Sequence, residues 1–216
     1  IQLGLESSQT KTNIKNFKND KGIAGSLTAD DNLSANQNFA FLRLNFDVNE
    51  RLLLELGSSL NFYGYDYQSY FPLIVATKEK TFKTSLMPKI ALSYLIHPNF
   101  TIRASASKGY SAPTLAEVRS SDQIINTNLQ AEAGWNYETG LRLQSANRRF
   151  NLDGTLFHCN LRDAIVRRLN TNDVEYFINA GGTKQLGTEV QLSAWLIEPQ
   201  NSHFLNGIQL RNSYTY

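Results

Sequence analysis

One cysteine stands among the 216 residues, so Cys159 has no partner within the chain. That excludes an internal disulfide scaffold and speaks against a thiolate-rich metal site. An excess of either charge is also missing: 21 basic side chains against 19 acidic ones leave a formal net charge of +2, and the two signs are interspersed. No basic stripe of the kind that neutralises phosphates is present, so nucleic acid is not expected as a partner. Long apolar runs are absent too. The longest, Leu52 to Leu54 and Phe71 to Ala76, fall far short of the ~18 residues a membrane helix needs, and mean hydropathy is −0.35. A helical membrane span is thereby excluded. A membrane barrel is not, because alternating strands average to near neutral hydropathy.

Signatures of catalysis are equally scarce. The chain contains no G-x-S-x-G, H-E-x-x-H, C-x-x-C, Walker loop or G-x-G-x-x-G, and Gly181-Gly182 lies between strand patterns with no helix after it. A barrel lipase would have only His158 as a base, so no enzymatic activity is expected. The three histidines, His97, His158 and His203, are spaced so that no two would share a metal, and neither a resident metal nor a cofactor is anticipated. The first residues, Ile1 to Glu6, already alternate, with no basic targeting region, and residues 207–216 stop inside another alternating stretch. The chain therefore reads as a piece of a longer protein.

What is present is a period of two. Ala40, Leu42, Leu44, Phe46 and Val48 alternate with Phe41, Arg43, Asn45 and Asp47, and after a turn at Asn49-Glu50 the return stretch from Leu52 to Phe62 divides the same way. The pattern recurs over 82–96, where Pro88 must mark a lost ladder bond or a bulge, and over 100–106, 135–144, 150–157, 189–196 and 208–211. With the opening stretch this makes about nine antiparallel strands in an up-and-down meander, an all-β fold. The connections alternate in length. Tight turns close three ends, while 7–37, 64–80 and 110–132 read as loops of about 17 to 31 residues. In a meander all the long loops then lie on one rim, the asymmetry of an outer-membrane barrel, here expected to be the extracellular rim. Aromatic residues near the loop ends (Phe62, Tyr63, Tyr65, Tyr67, Tyr70, Phe71, Trp135, Tyr137, Tyr176, Phe177) sit where an interfacial girdle would lie. A soluble sandwich or propeller also alternates, but the turn asymmetry would have no cause there.

Several motifs then fall into a recognisable order. Ser105-Ala106-Ser107-Lys108-Gly109-Tyr110-Ser111-Ala112-Pro113-Thr114-Leu115-Ala116-Glu117 resembles the strand-to-loop signature S-x-G-[FY]-x-x-P-x-x-x-E of TonB-dependent outer-membrane receptors. Asn126 to Glu132, with Asn128 and Leu129, resembles the family's N-x-N-L-x-x-E segment, and Tyr137-Glu138-Thr139-Gly140-Leu141-Arg142 its Y-E-x-G-x-R segment. Downstream, Asn179-Ala180-Gly181 and Gly187-Thr188-Glu189 are similar to the N-x-G and G-x-E elements of the next hairpin. These motifs cover about 80–216; the first 80 residues match by barrel pattern alone.

The resemblance implies a transmembrane barrel of about 22 strands, closed by a plug domain, of which these 216 residues, read as a single barrel domain, supply part of the wall. It implies active import of a ferric siderophore or similar iron complex across a bacterial outer membrane, in contact with lipid, with the plug outside this sequence meeting a TonB–ExbB–ExbD energy-coupling complex. A passive or structural barrel, or a receptor for cobalamin or a glycan, stays open. Haem is disfavoured, because the histidine that haem receptors of this family carry between the Pro-containing and Asn-Leu segments is missing from 114–125. Iron would arrive already chelated, so no metal ligands are needed.

Residue roles follow from this. Arg103, Glu138, Arg142, Glu189 and Gln191 would line the interior and contact the plug, or form an ordinary polar face with cross-strand ion pairs. Tyr63, Tyr65, Tyr67 and Tyr70 would offer rings to a chelate, with Arg119, Lys78 or Lys80 neutralising an anionic complex, unless those rings form the girdle instead.

Overall fold

The computed structural model describes residues 1–198 and 207–216. His203 therefore lies outside the described residues. Four strands build the first part: β1 (Gln2–Asp20), β2 (Ile23–Asn49), β3 (Leu52–Phe71) and β4 (Val75–Thr81). They are followed by β5 (Ser85–His97), β6 (Phe100–Ser111), one helical turn α1 (Leu115–Val118), β7 (Glu132–Gln144) and β8 (Phe150–Arg162). A small hairpin, β9 (Ile165–Leu169) and β10 (Glu175–Asn179), precedes β11 (Thr183–Ile197) and β12 (Ile208–Thr215). The main sheet runs β1-β2-β3-β5-β6-β7-β8-β11-β12, each strand antiparallel to the next in sequence, with β4 pairing β3 beyond the end of β5. The path has the nine strands expected of the meander.

The turns explain the register. At one end Asn49 Oδ1 accepts from the backbone N–H groups of Arg51 and Leu52 at 2.9 and 3.0 Å, a side-chain mimic of a backbone turn. His97-Pro98-Asn99 and 145–149 close the other short ends, so β3 follows β2, β6 follows β5 and β8 follows β7 with tight reversals. Pro88 stays in register opposite Ser58, and the β5–β6 ladder begins one residue later, at Lys89 opposite Ser107. The missing N–H thus coincides with the end of that ladder.

At the opposite end the expected loops are largely strand. Residues 7–37 continue β1 and β2 as one hairpin, reversing at Lys21 and Gly22, whose φ values of 50° and 90° give the two left-handed residues of a tight hairpin turn. Likewise 64–80 is the upper half of β3 paired with β4. Polar alternation without apolar residues (Gln9, Thr10, Lys11, Thr12, Asn13) reads as loop, yet two such strands satisfy each other's backbone groups above the sheet. A 27-residue strand such as β2 spans on the order of 90 Å, about three times the hydrocarbon thickness of a bilayer. Of the three expected loops only the last is an irregular connection, over 112–131, carrying α1 and an isolated bridge between Arg119 and Ile125.

Burial is distributed in a way no sandwich would show. On one face of the sheet Leu42, Phe46, Leu86, Leu92, Ile102, Leu141 and Leu156 are all exposed, Leu86 by 53% and Leu156 by 54%. No second layer covers this face among the described residues, and in water an apolar surface of this extent would drive association. The small buried core lies elsewhere, beyond the middle of the sheet at the long-hairpin end: Leu33, Ala35, Tyr65, Leu115, Val118 and Leu129.

Candidate functional site

The polar face of the sheet is the first part of the site. Registers place Arg43, Glu55, Lys89, Arg103, Glu138, Arg142, Asp153, Glu189 and Gln191 on one side and the exposed apolar residues on the other, because side chains alternate strictly along paired strands. The charges form two clusters. Glu55 on β3 holds Arg43 from β2 and accepts from Lys89 Nζ of β5 at 2.9 Å. Asp153 on β8 holds two arginines: Arg142 Nε donates to Oδ2 at 2.9 Å, and Arg103 donates through Nη1 to Oδ2 at 2.9 Å and through Nη2 to Oδ1. Arg103 also donates to Thr155 Oγ1 at 2.8 Å.

Arg103 sits on β6 and its acceptors on β8, so its guanidinium must cross β7. It crosses at Gly140, its register partner. A Cβ there would lie 3.0 Å from Arg103 Nε and 2.8 Å from the Gly154 carbonyl oxygen. The Y-E-x-G-x-R pattern thus has a steric reason: the glycine opens a path over one strand for an arginine from its neighbour. Gly187 does the same for an aromatic ring, since a Cβ there would meet Phe157 Cζ and the Tyr216 carbonyl oxygen, each at 2.5 Å. Gly109 faces open space on the same side, with no neighbour within 4 Å.

Glu138, Glu189 and Gln191 remain exposed on this face. Glu138 accepts only from Asn136 Nδ2 at 2.6 Å, and neither carboxylate joins an ion pair among the described residues. Shallow concavities of ≈ 700 and ≈ 520 Å³ lie over the polar face, the first walled by Arg142, Asp153, Gln191 and Arg211, the second by Arg43, Glu55, Lys89, Arg103 and Glu138.

The second part is a compact body at the long-hairpin rim. Residues 112–131 fold over the polar side of the upper β2–β3 hairpin and are fastened from several directions. Tyr63 Oη donates to the Pro113 carbonyl at 2.8 Å, and Pro113 is fully buried. Thr114 and Glu117 form a reciprocal capping box around α1, with the Thr114 N–H donating to Glu117 Oε2 at 2.7 Å. Leu115, Val118 and Leu129 pack on Leu33, Ala35 and Tyr65, with Phe82, Ile125 and Phe177 against them. The β9–β10 hairpin closes the far side: Asn179 Oδ1 accepts from the Gln130 N–H at 2.8 Å while its Nδ2 donates to the carbonyls of Gln130 and Asp163 at 3.0 and 2.6 Å. Asn126 Nδ2 donates to the Phe177 carbonyl at 2.9 Å, and Asn126 Oδ1 accepts from the Asn128 N–H at 3.0 Å. The motif residues Tyr110, Pro113, Glu117, Asn128, Leu129 and Asn179 therefore converge on one rim assembly.

Two expectations need correction here. Tyr63, Tyr65 and Tyr67 share the polar side of β3 with Gly57, Ser59 and Asn61, so they cannot belong to a lipid-facing girdle. Nor do they form an open ligand surface: Tyr65 is 1% exposed, its ring 6.1 Å from Phe82, and Tyr63 lies 5.3 Å from the same ring. Burial pushes both phenols up to about 12. Tyr70 alone of the four is well exposed; three residues past Tyr67, it falls by alternation on the other face, beside Gln68 and Asn32.

The second correction is Arg119, expected to meet an anionic cargo. Its guanidinium is buried: Nε donates to Asp31 Oδ2 at 2.6 Å, Nη1 to the Ser120 carbonyl at 2.7 Å and Nη2 to Asn16 Oδ1 at 3.0 Å. It ties the 112–131 segment to the β1–β2 hairpin. Lys80 lies over the Phe82 ring at 5.5 Å from its centroid. The girdle itself is carried by the opposite face, where Trp135 stacks on Tyr137 with centroids 6.0 Å apart at 14°, and Tyr137 on His158. Leu143, opposite Phe100, is eight residues along β7 from Trp135, about 26 Å of strand at 3.3 Å per residue, which a barrel-strand tilt of about 40° turns into about 20 Å of height, within the ~25 Å apolar band of outer-membrane barrels. Sequence reasoning missed Asp31, Asp153 and Glu55. The hairpin turn at 145–149 already sets Arg142 opposite Asp153, whereas Asp31 lay in a stretch taken for loop.

A nine-strand antiparallel meander with one apolar belt, one ionic face and hairpins prolonged at a single end is a section of a transmembrane β-barrel wall. The chain belongs to the family described as TonB dependent receptor-like, beta-barrel, which it matches over residues 2–216. Solved structures with the same fold include the pyoverdine outer membrane receptor FpvA from Pseudomonas aeruginosa, at 17% identity, TM-score 0.66 and coverage of 99% of this chain and 32% of that one. The alcaligin outer membrane receptor FauA from Bordetella pertussis matches at 17% identity and TM-score 0.60, over 99% of this chain and 39% of that one. The copper transporter OprC matches at 13% identity and TM-score 0.69, over 99% and 35% respectively. The chain thus spans about a third of the length of the structures it resembles. No curated protein sequence matches it.

Proposed function

We propose that this chain is a wall section of an outer-membrane active transporter that captures a ferric siderophore or a similar iron complex and imports it past a plug carried elsewhere in the parent protein. The supporting observation is the division of labour between the two faces. The apolar belt suits lipid, and the opposite face presents two carboxylates, Glu138 and Glu189, that join no ion pair among the described residues. A plug needs such groups: they can be met by its cations and released one after another when it is pulled, whereas Glu55 and Asp153, already holding cations, keep the wall rigid. Gly109, open on the same face, leaves room for plug backbone.

Cargo would first meet the rim. A cavity of ≈ 500 Å³ opens there between β1, β2 and 110–116, framed by Ser8, Thr10, Thr12, Gln37, Tyr63 and Ser111. Its hydroxyls and amide, beside the rings of Tyr63 and Tyr110 and the apolar Ala35, Pro113 and Leu115, suit the oxygen-rich shell of a metal chelate, and no carboxylate or imidazole lines it. Work on plug movement would come from a TonB–ExbB–ExbD complex acting on the parent protein.

The test is uptake by the parent protein in a bacterial host stripped of its own receptors, fed ferric hydroxamate, catecholate and carboxylate chelates, cobalamin and a linear glycan. Saturable iron accumulation that stops when the proton gradient is dissipated is the expected result. Accumulation that persists without the gradient would leave a passive barrel, and energy-dependent uptake of cobalamin or glycan alone would remove iron from the proposal.

A further inference from the structure

Among the described residues, no charged side chain lines the rim cavity between β1, β2 and 110–116. Ser8, Thr10, Thr12 and Ser111 supply hydroxyls and Gln37 an amide. The cations expected to meet an anionic cargo lie elsewhere. Arg119 is buried against Asp31, and Lys80 lies over the Phe82 ring. Lys78 is paired with Tyr67 on β4, which β3 and β2 separate from β1, and it does not reach the lining. The Glu117 carboxylate is taken up in the capping box of α1.

The wall around the cavity is just as poor in positive charge. From the row of Gly4, Phe41 and Ser59 up to the row of Thr12, Leu33 and Tyr67, the polar side of β1, β2 and β3 holds no basic residue, and Glu6 is its only charge. Glu6 stands two residues before Ser8 on the same side of β1 and joins no ion pair among the described residues. At this height β5 presents Met87 and Ser85, and β6 presents Gly109 and Ser111. Glu132 on β7 accepts from the Ile165 N–H at 2.6 Å. Arg43, Lys89, Arg103 and Arg142 stand nearer the short turns and are held by Glu55 and Asp153.

The charge of a ferric complex is set by its arms. Three singly charged hydroxamates balance the metal and leave the complex uncharged, whereas three doubly charged catecholates leave it trianionic. An anion entering this cavity gives up water, finds no cation and approaches Glu6, so its desolvation is not offset. An uncharged complex has only carbonyl and N–O oxygens to satisfy, and hydroxyl and amide donors do that.

We propose that the rim cavity selects cargo by charge, and that its cargo is an uncharged ferric trishydroxamate and not an anionic catecholate or carboxylate complex. The assignment rests on the import reading and narrows it to one class of chelate. Ser8, Thr10, Ser111 and Gln37 donate to the oxygens of the chelate, and Glu6 repels anions.

The test uses the full-length parent protein in an uncharged detergent and two synthetic tripods on one scaffold, with three hydroxamate or three catecholate arms, each loaded with ferric iron. Affinities are measured by titration calorimetry at low and high salt. The uncharged complex should bind at least about tenfold more tightly than the trianion, with little dependence on salt. Glu6→Lys should shift the ratio toward the trianion on the order of tenfold at low salt and less at high salt, and Glu6→Gln, which keeps the size of the side chain, on the order of threefold. In Lys78→Gln with Lys80→Gln the ratio should still favour the uncharged complex. A trianion bound as tightly as the uncharged complex, or a ratio that neither change at Glu6 moves, would overturn the proposal. Gradient-driven uptake of the catecholate complex alone would overturn the charge assignment and leave iron import standing, whereas uptake of no iron complex would overturn both.

Discussion

Asp31→Asn strands a buried guanidinium. Arg119 and Asp31 have side chains only 2% and 5% exposed, and the substitution replaces the carboxylate with an amide while the arginine stays charged. Removing one partner of a buried pair costs about 3–5 kcal/mol, because the remaining charge is left uncompensated. Arg119 keeps its bonds to the Ser120 carbonyl and Asn16 Oδ1, which puts the cost at the lower end of that range. The wall does not depend on this pair, so the loss falls on local opening of the rim segment and not on the barrel. Three amides report that opening: Val118 N–H bonds to the Thr114 carbonyl at 3.0 Å, Arg119 N–H to that of Leu115 at 2.9 Å, and Asn126 N–H to that of Val118 at 2.8 Å. At about 1.4 kcal/mol per tenfold, hydrogen exchange at these amides in the parent receptor should accelerate by about 100-fold. Amides of the β6–β7 ladder, such as those of Arg103 and Glu138, should not change. Asp31→Leu with Arg119→Met, which removes both charges, should bring the rate back to within about tenfold of the original. Acceleration below about threefold at the three reporters, or an equal change throughout the ladder, would refute the reasoning.

Gly140→Ala puts a Cβ against the Gly154 carbonyl and Arg103 Nε, and should lower the stability of the parent barrel by about 1–3 kcal/mol in chemical unfolding, whereas Gly109→Ala, with open space around it, should stay within about 0.5 kcal/mol. Tyr63 and Tyr65 should ionise near 12 in a phenolate absorbance titration, above the ordinary phenol value. Below about pH 10 both folded and unfolded phenols are protonated and rim stability is fully present; as pH rises from about 10 to about 12 only the unfolded phenols ionise, so the rim loosens across that window. Leu141→Arg, on the lipid face, should cost about 2–4 kcal/mol or block assembly, while Asn136→Arg, on the polar face of the same strand, should be tolerated in membrane-insertion assays.

The wall was legible because its code is local. Leu92 against Ser93, Ile102 against Arg103 and Leu141 against Arg142 assign each side chain to a face with no knowledge of distant contacts, and the turns at Asn49 and Pro98 fix which residues pair. The rim was not, because there the same parity carries a different burden. Tyr65 keeps the facing of Gly57 and Asn61, but beyond the membrane that facing leads into a small core made by residues from 112–131, and only the three-dimensional fold brings that segment over it. Girdle and core both ask for aromatic rings near a strand end, so composition could not separate them. Arg119 failed for a related reason: its partners Asp31 and Asn16 are 88 and 103 residues away, on a polar hairpin whose alternation lacks the apolar face that marks a strand. Gly140 and Gly187 were recognised as motif positions, and the structure supplies their cause in the arginine and the phenylalanine ring that pass over them.

The most direct measurement of the two-faced wall is paired cysteine labelling in the parent protein, in native membranes, with Cys159 replaced by serine. Single cysteines at Leu92, Leu141 and Leu192 and at their neighbours Ser93, Arg142 and Ser193 carry a nitroxide probe, and relaxation by dissolved oxygen is compared with relaxation by a water-soluble nickel chelate. Leucine positions should respond to oxygen and be shielded from the chelate, and the neighbouring positions should show the reverse or, if the proposed plug fills the interior, be shielded from both. Equal response at both members of each pair, or oxygen access confined to Ser93, Arg142 and Ser193, would contradict a wall with lipid on its leucine face.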